Sequence, residues 1–441
     1  MATIADQGLA APVNAVLAPR RRGLTLALLT FAYFFSYMDR QILAILQEDI
    51  RVDLNLSDTQ LGLLAGFAFA LFYATLGIPV ARLADRTNRV NIIAISLTIW
   101  SGMTAVCGLA QNFIQLLLAR IGVGIGEAGS SPPSHSIIAD LYPPEKRAGA
   151  MSVYSLGVIL GAAFGTMIGG YVATLYGWRV ALYTIGLPGI VLAVFIKLLV
   201  PEPKRGLSDA QVVAEGEAKG AMPSLGEGFR SLWAERAAMH LIMGITVTSL
   251  IGYAHGAFGA SFLIRSFGFT KLDIATFVAP IGAVCGTASA IGGGWLANWC
   301  ARRYGIYAQS WLILAMKGIG LPLSFIYYLT TDWQTAMALY FVSLLFISSY
   351  IGPTYAMIQG LAPLRLRALW ASVALLIVNL IGLGFGPTLI GFVSEQLKPS
   401  MGEESLRWAM LTFAAATPWA LWHYWRAGLL LKRREQAGRV T

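Results

Sequence analysis

The chain has 441 residues, 56% of them hydrophobic and only 12% charged, and its mean hydropathy is +0.65. A soluble chain carries about 25% charge, so this composition argues against a soluble globular protein. The net charge is +10 and the pI near 9.6, but no clustered basic face with aromatic platforms accompanies them, which argues against a nucleic-acid partner.

The few charges are unevenly spread. Apolar runs of about 18 or more residues recur, each long enough to cross a hydrocarbon core about 30 Å thick. In chain order they fall at about 23–47, 59–81, 90–110, 113–138, 147–176, 178–200, 237–265, 272–299, 304–329, 334–361, 367–394 and 406–431. The fifth and sixth are split only by Tyr176-Gly177-Trp178-Arg179. The expectation is an all-α membrane protein with twelve transmembrane helices in two six-helix bundles and both termini cytoplasmic. Arg20, Arg21 and Arg22 precede the first run, and Arg82, Arg86 and Arg89 lie between the second and third. Lys146 and Arg147 follow the fourth, Arg302 and Arg303 the eighth, and Lys432, Arg433 and Arg434 the last. The alternate loops are short and poor in basic residues, and the first holds Glu48, Asp49, Asp53 and Asp58. With cytoplasmic termini this is the positive-inside asymmetry, and the basic loops face an anionic leaflet.

Residues 1–22 lack the apolar core of a signal peptide and read as a cytoplasmic tail. Residues 201–236 are the only long polar stretch; Pro, Gly and alternating charge mark a cytoplasmic linker. It divides an N-terminal bundle, 23–200, from a C-terminal bundle, 237–431, with a tail at 432–441. ARLADRTNR (81–89) follows the second run and GWLANWCARR (294–303) the eighth. Both place Leu-Ala before Asp or Asn and then Arg, a weak internal repeat that supports two related halves. Many secondary transporters are built this way, with the binding site near the midplane between halves. Cys107, Cys285 and Cys300 form neither a metal spacing nor a disulfide framework.

The first run contains an anomaly. FAYFFSYMDRQILAIL (31–46) sets Asp39 beside Arg40 inside otherwise apolar sequence. The fourth run carries Arg120 and Glu127, seven residues or two helical turns apart, hence on one face and about 10 Å apart along the axis. An ionisable residue at the bilayer centre costs at least about 2.5–3.5 kcal/mol, so four of them argue for a shared purpose. Of the 22 acidic residues only Asp39 and Glu127 lie deep inside runs, and none lies deep in the second half. The charged machinery is therefore expected in the first half. Burial raises a carboxylate pKa and a nearby arginine lowers it. A carboxylate whose surroundings change as the halves rock thus takes a proton on one side and releases it on the other. Glu127 is expected to be the principal proton carrier and Asp39 its partner, with Arg40 and Arg120 competing for the carboxylates and gripping an anionic head group. The alternative is a static ion-pair cluster that fixes helix packing, although such clusters are not reliably stabilising.

Other features bear on motion and substrate. Gly157, Gly161, Gly165 and Gly169 recur every four residues, a smooth stripe for close helix contact. GVGIG (122–126) follows no strand and sits inside an apolar run, so it is not a dinucleotide loop. No phosphate-cradling Walker sequence occurs, which argues against an ATP-driven pump. The cavity candidates are Phe34, Tyr37 and Phe72 in the first half, and Tyr253, His255, Tyr355, Gln359 and Asn379 in the second. A lone histidine in a span is more often a satisfied interior group.

The stretch Ala81, Asp85, Arg86, Thr87, Asn88, Arg89 partly resembles the motif Gly-x-x-x-Asp-Arg-x-Gly-Arg-Lys of the major facilitator superfamily, with Ala81 and Asn88 in place of its glycines. DLYPPEKR (140–147) resembles the companion stretch after the fourth span. The resemblance implies an inside gate in which Asp85, Arg86, Arg89, Asp140 and Arg147 latch the cytoplasmic side when the site faces out; the alternative is that they are charged span ends. YMDRQILA (37–44), the stretch 119–171 beginning ARIGVGIGEAGSS, and GWR (177–179) resemble the Spinster family of lipid transporters. That likeness implies proton coupling at Asp39, Arg40, Arg120 and Glu127, with the proton gradient in place of any cofactor. It implies an amphipathic lysolipid or sphingolipid-like substrate and a monomer in the inner membrane of a bacterium. The glycine stripe partly resembles the superfamily's antiporter motif, but Thr166 stands where that motif has Pro, so symport and antiport both stay open. A transporter of a small organic anion or drug with the same fold is one rival. A non-transporting receptor or a scramblase is another.

Overall fold

A computed structural model describes residues 19–205, 207, 224–347, 349–363 and 366–437. Most of the expected N-terminal tail (1–18), most of the linker (206 and 208–223) and the last four residues lie outside the described residues. Every regular element among the described residues is a helix. The first half holds α1 Pro19–Asp53, α2 Asp58–Ala65, α3 Phe67–Arg86, α4 Arg89–Cys107, α5 Phe113–Glu127, α6 Ser131–Leu141, α7 Pro144–Tyr176 and α8 Trp178–Leu199. After the linker come α9 Leu225–Ala234, α10 Arg236–Phe267 and α11 Lys271–Asp273. A π-helical turn, Ile274–Val278, leads into α12 Ala279–Tyr304, then α13 Tyr307–Leu329, α14 Trp333–Ile347, α15 Ile351–Leu361 and α16 Arg367–Ile377. A second π segment, Val378–Phe385, precedes α17 Gly386–Met401, α18 Ser405–Ala414 and α19 Thr417–Ala437.

The helix starts follow capping chemistry. Ser57 accepts from the Gln60 amide at 3.3 Å while Gln60 reaches back to the Ser57 amide at 2.9 Å, a capping box. Asn88 and Asn112 accept from the amides of Asn91 (2.8 Å) and Gln115 (3.0 Å) at the starts of α4 and α5, satisfying donors that a helix leaves free.

Ten helical stretches among the described residues are long and apolar enough to cross a membrane. Their outward faces carry exposed Leu118, Ile125, Val191, Phe195, Leu198 and Trp295. The 35 residues of α1 would extend about 52 Å, yet α1 is not among the ten, because Ser36–Gln41 interrupts its apolar sequence. The last of the ten, Leu369–Ala437, runs through the turn at Gly402–Glu404.

α1 lies against α7, and the glycine stripe is the reason they pack so closely. A Cβ on Gly165 would meet the Met38 carbonyl oxygen at 2.7 Å, and one on Gly157 the Phe34 amide nitrogen at 2.9 Å.

At the end where α1 finishes, the two halves interlock. Gly62 of α2 sits on the Pro387 backbone and Gly391 of α17 on the Asp58 backbone. Arg265 of α10 donates to both oxygens of Asp58 at 2.8 Å and to Glu48 at 2.9 Å. Ser394 donates to Asp58 at 2.7 Å, Thr59 to Glu395 at 2.5 Å, and Lys271 pairs with Asp49. At the end carrying the first and last described residues, the contacts run within each half. Glu202, just past α8, accepts from the Val90 amide at 3.1 Å; Glu435, in α19, accepts from the Ile306 amide at 2.6 Å. An acid near the close of each half thus tethers the same kind of helix start, the structural counterpart of the weak sequence repeat.

Candidate functional site

The four buried charges of the first half meet, and they pair crosswise. Arg40 donates through Nε to Glu127 Oε1 at 2.7 Å, its Nη2 binds the same oxygen, and Ser36 Oγ donates there at 2.5 Å. Arg120 Nη1 lies 3.6 Å from Asp39 Oδ2, while Thr104 Oγ1 reaches Asp39 Oδ1 at 2.5 Å. Neighbours in a helical sequence point about 100° apart. Asp39 therefore turns toward α4 and α5, and Arg40 toward the ring faces of α3. The Arg40 guanidinium carbon stands 4.6 Å from the Tyr73 ring centroid, 4.8 Å from Phe69 and 5.0 Å from Tyr37, and Arg120 lies 5.5 Å from Phe69. These are cation–π distances.

Exposure separates the members. Asp39, Arg120 and Glu127 are buried to within a few percent, whereas the Arg40 side chain keeps 15% exposure. One oxygen of each acid, Asp39 Oδ2 and Glu127 Oε2, is buried and accepts no hydrogen bond among the described residues. A buried carboxylate oxygen without a donor is costly.

The other expected site residues fall in several places. Tyr37 belongs to the Arg40 cluster and meets Tyr33, itself stacked on Tyr154 at 4.4 Å. Tyr253, in the second half, lies within electrostatic reach of Arg40, Tyr37 and Tyr73. Phe34 packs instead with Phe31 at 6.1 Å and Phe164 of α7 at 5.7 Å, on another side of α1. Phe72 is half-buried beside Tyr73. His255 Nε2 donates to the Met410 carbonyl, 3.0 Å away, and its ring packs on Tyr328 at 5.2 Å, inside the second half. Tyr355 packs against the second-half core, Gln359 is exposed, and Asn379 is half-buried in the π segment.

The loop charges are arranged differently from one another. Arg89 is fully buried and donates to Asp140 at 2.5 Å, Ser136 at 2.7 Å, Glu202 at 2.7 Å and the Pro203 carbonyl at 2.9 Å. Arg147 donates to the Ala139 carbonyl at 2.9 Å, at the close of α6, and Arg86 is exposed. These contacts stay within the first half. The side chain of Asp85 lies outside the described residues.

Sequence reasoning missed Ser36, Thr104 and the inter-half anchors Arg265 and Lys271. Helical spacing carried a signal for some: Ser36 is four residues before Arg40 and Tyr33 seven, on one face of α1.

Two helical halves sealed together at one end, with buried acid–base pairs midway along the first helix, define the class of a secondary transporter. The chain belongs to the major facilitator superfamily, which it matches over residues 29–387. Within that family the likeness includes Spinster proteins: a bacterial homologue of the human lysosomal transporter Spinster, solved in an inward-facing and unoccupied conformation, superposes with a TM-score of 0.82 at 30% identity over 94% of this chain and 98% of that one. An MFS-type efflux pump of Mycolicibacterium smegmatis is 31% identical over 90% of each chain. A probable L-galactonate transporter of Escherichia coli is 27% identical over 62% of this chain and 61% of its own.

Proposed function

We propose that this protein is a proton-coupled transporter that moves an amphipathic anion, lysolipid- or sphingolipid-like, across a bacterial inner membrane by alternating access. Counting α1 as a span whose charges are neutralised inside the bundle, and Leu369–Ala437 as two passes, brings the ten apolar stretches to twelve. An even number puts both termini on one side, and the basic loops make that side the cytoplasm. The interlocked end is then the outer gate, closed, and the site opens inward.

The observation that carries the reading is the Arg40–Glu127 pair with its unpartnered Glu127 Oε2. While Glu127 is ionised it holds Arg40. A proton on Oε2 cancels that attraction and frees the guanidinium, the most exposed of the four charges, for a substrate anion. Asp39 and Arg120 form the deeper pair and Thr104 fixes the Asp39 orientation. Lipid-like substrates are supported by the likeness to a Spinster homologue and by the aromatic faces of Tyr37, Phe69 and Tyr73. A small organic anion is the second reading, favoured by the relative named as a probable L-galactonate transporter and by the compact polar cluster.

The test is pH-gradient-driven uptake in liposomes of labelled lysophosphatidic acid, lysophosphatidylcholine, sphingosine phosphate and L-galactonate, with wild type, Asp39→Asn and Glu127→Gln, each shown to be folded. Transport lost in the folded variants supports proton coupling. Transport that persists with unchanged pH dependence makes the cluster a structural ion-pair core. Lipid movement that is the same in the wild type with and without a pH gradient, and that survives Glu127→Gln, identifies a scramblase.

A further inference from the structure

We propose that the groove between α12 and α13, where α19 passes it, binds an anionic phospholipid of the cytoplasmic leaflet, with an acyl chain on its rings and the phosphate at Lys432 and Arg303; this rests on the topology given above and not on proton coupling. The groove has a volume of about 250 Å³ and is lined by Cys300, Tyr304, Tyr307, Ala308, Trp311 and Leu312. Its walls are largely apolar and aromatic, a surface that suits an acyl chain. Cations stand over those same rings. The Lys432 ammonium is 5.6 Å from the Tyr307 ring centroid and 5.3 Å from that of Trp311, and the Arg303 guanidinium carbon is 6.0 Å from that of Tyr304. Trp299 and Tyr304 are exposed and meet at 5.8 Å beside Arg302 and Arg303. Aromatic rings and cytoplasmic cations meet in this way at the level of the head groups. Basic pockets between spanning helices on that side take acidic head groups.

Two residues of α19, one turn apart, build the contact. Trp311 lies on Gly428, where a Cβ would meet the indole nitrogen at 2.2 Å. Lys432 follows four residues later on the same face of the helix, so the glycine seats the ring and the lysine covers it. A ring face attracts a cation without cancelling its charge, and the ammonium therefore still draws a phosphate. Among the described residues no acid forms an ion pair with Lys432 or Arg303. Glu435, the one acid of α19, is turned to the Ile306 amide at 2.6 Å. It fills the start of α13 and leaves the phosphate to the two cations.

The experiment is binding of dioleoyl phosphatidylglycerol to the full-length protein in neutral-detergent micelles, with dioleoyl phosphatidylcholine and glycerol phosphate as comparators. Bound lipid is counted by native mass spectrometry, and alkylation of Cys300 and Cys285 is timed by peptide mass. Wild type, Lys432→Gln, Arg303→Gln, the double variant, Lys432→Arg and Arg433→Gln are compared on their monodisperse fractions. Phosphatidylglycerol is expected to bind wild type about tenfold or more tighter than phosphatidylcholine, and to lose about fivefold in each single Gln variant at Lys432 or Arg303, the effect of one cation near a membrane surface. The double variant should lose the preference, whereas Lys432→Arg and the exposed-site variant Arg433→Gln should keep it. In wild type the lipid should slow alkylation of Cys300 about fivefold and leave Cys285 unchanged. Equal binding of the two lipids overturns the proposal. So does a preference kept by the double variant, an equal loss in Arg433→Gln, or protection of Cys300 by glycerol phosphate alone, which would make the groove a site for a soluble anion. None of these readouts involves Glu127, so the lipid site can fall while proton-coupled transport stands.

Discussion

The two halves place polar groups in an apolar bundle by different means. The first half gathers four full charges and pairs them crosswise, on long uninterrupted helices such as α1 and α7, of 35 and 33 residues. The second half holds neutral pairs in its interior: Tyr350 with Ser249, Thr354 with Tyr424 at 3.1 Å, and His240 with His423 at 2.9 Å. Its helices are also less regular, with π segments at Ile274–Val278 and Val378–Phe385 and a break after α14. The second π segment lies on the inter-half face, where Phe385 meets Phe67 at 5.4 Å. Irregular turns of this kind often sit at functional sites. The buried acid–base pairs Arg40–Glu127 and Asp39–Arg120 are thus in the first half, and the π segments are in the second.

Breaking the contact between the halves should have the largest effect. Arg265→Ala leaves Asp58 and Glu48 without their cation. A broken buried pair costs about 3–5 kcal/mol, which we reduce to about 2 because the Arg265 side chain is partly exposed. Spin-label distances across the interlocked end should lengthen and their populations shift by more than about tenfold. Unchanged distances would mean that the remaining contacts, Lys271 with Asp49, Thr59 with Glu395 and the close backbone packing at Gly62 and Gly391, hold the seal without it.

The packing of the two halves should differ next. Gly165→Val must push α1 from α7, because a Cβ there already meets the Met38 carbonyl oxygen at 2.7 Å. Overpacking of this kind costs about 1–3 kcal/mol. Gly320→Ala in α13, where nothing stands within 4 Å of a built Cβ, should stay within about 0.5 kcal/mol of wild type. Thermal unfolding in detergent compares them, and equal losses would remove the packing distinction.

The smallest effect is expected within the first-half cluster. Thr104→Val deletes the donor to Asp39 Oδ1, a net loss of about 1 kcal/mol. Gradient-driven uptake should fall by about fivefold, with wild-type pH dependence kept in form. No change would remove Thr104 from the positioning of Asp39.

Much of this was readable in the sequence, because the length of an apolar run and the cost of a charge inside it are local properties. Asp39, Arg40, Arg120 and Glu127 stood out for that reason. Which acid met which base was not readable. Asp39 and Arg40 adjoin in sequence yet diverge around α1, and only the packing of α5 shows that Arg40 takes Glu127. The latch between the halves depends on Arg265 meeting Asp58, 207 residues away, a distance no local pattern spans. Nor could the sequence tell that Phe34 packs with Phe31 and with Phe164 of α7.

The most direct test of the central claim separates movement from coupling. Glu127→Gln, reconstituted in liposomes, is measured for exchange of labelled against unlabelled substrate at equal pH, and for uptake driven by a pH gradient. The account predicts that exchange survives while gradient-driven uptake falls about 100-fold or more, the scale lost with a positioned proton-transfer group. Loss of both in a folded protein, or retention of both, would contradict the assignment of Glu127 as the proton carrier.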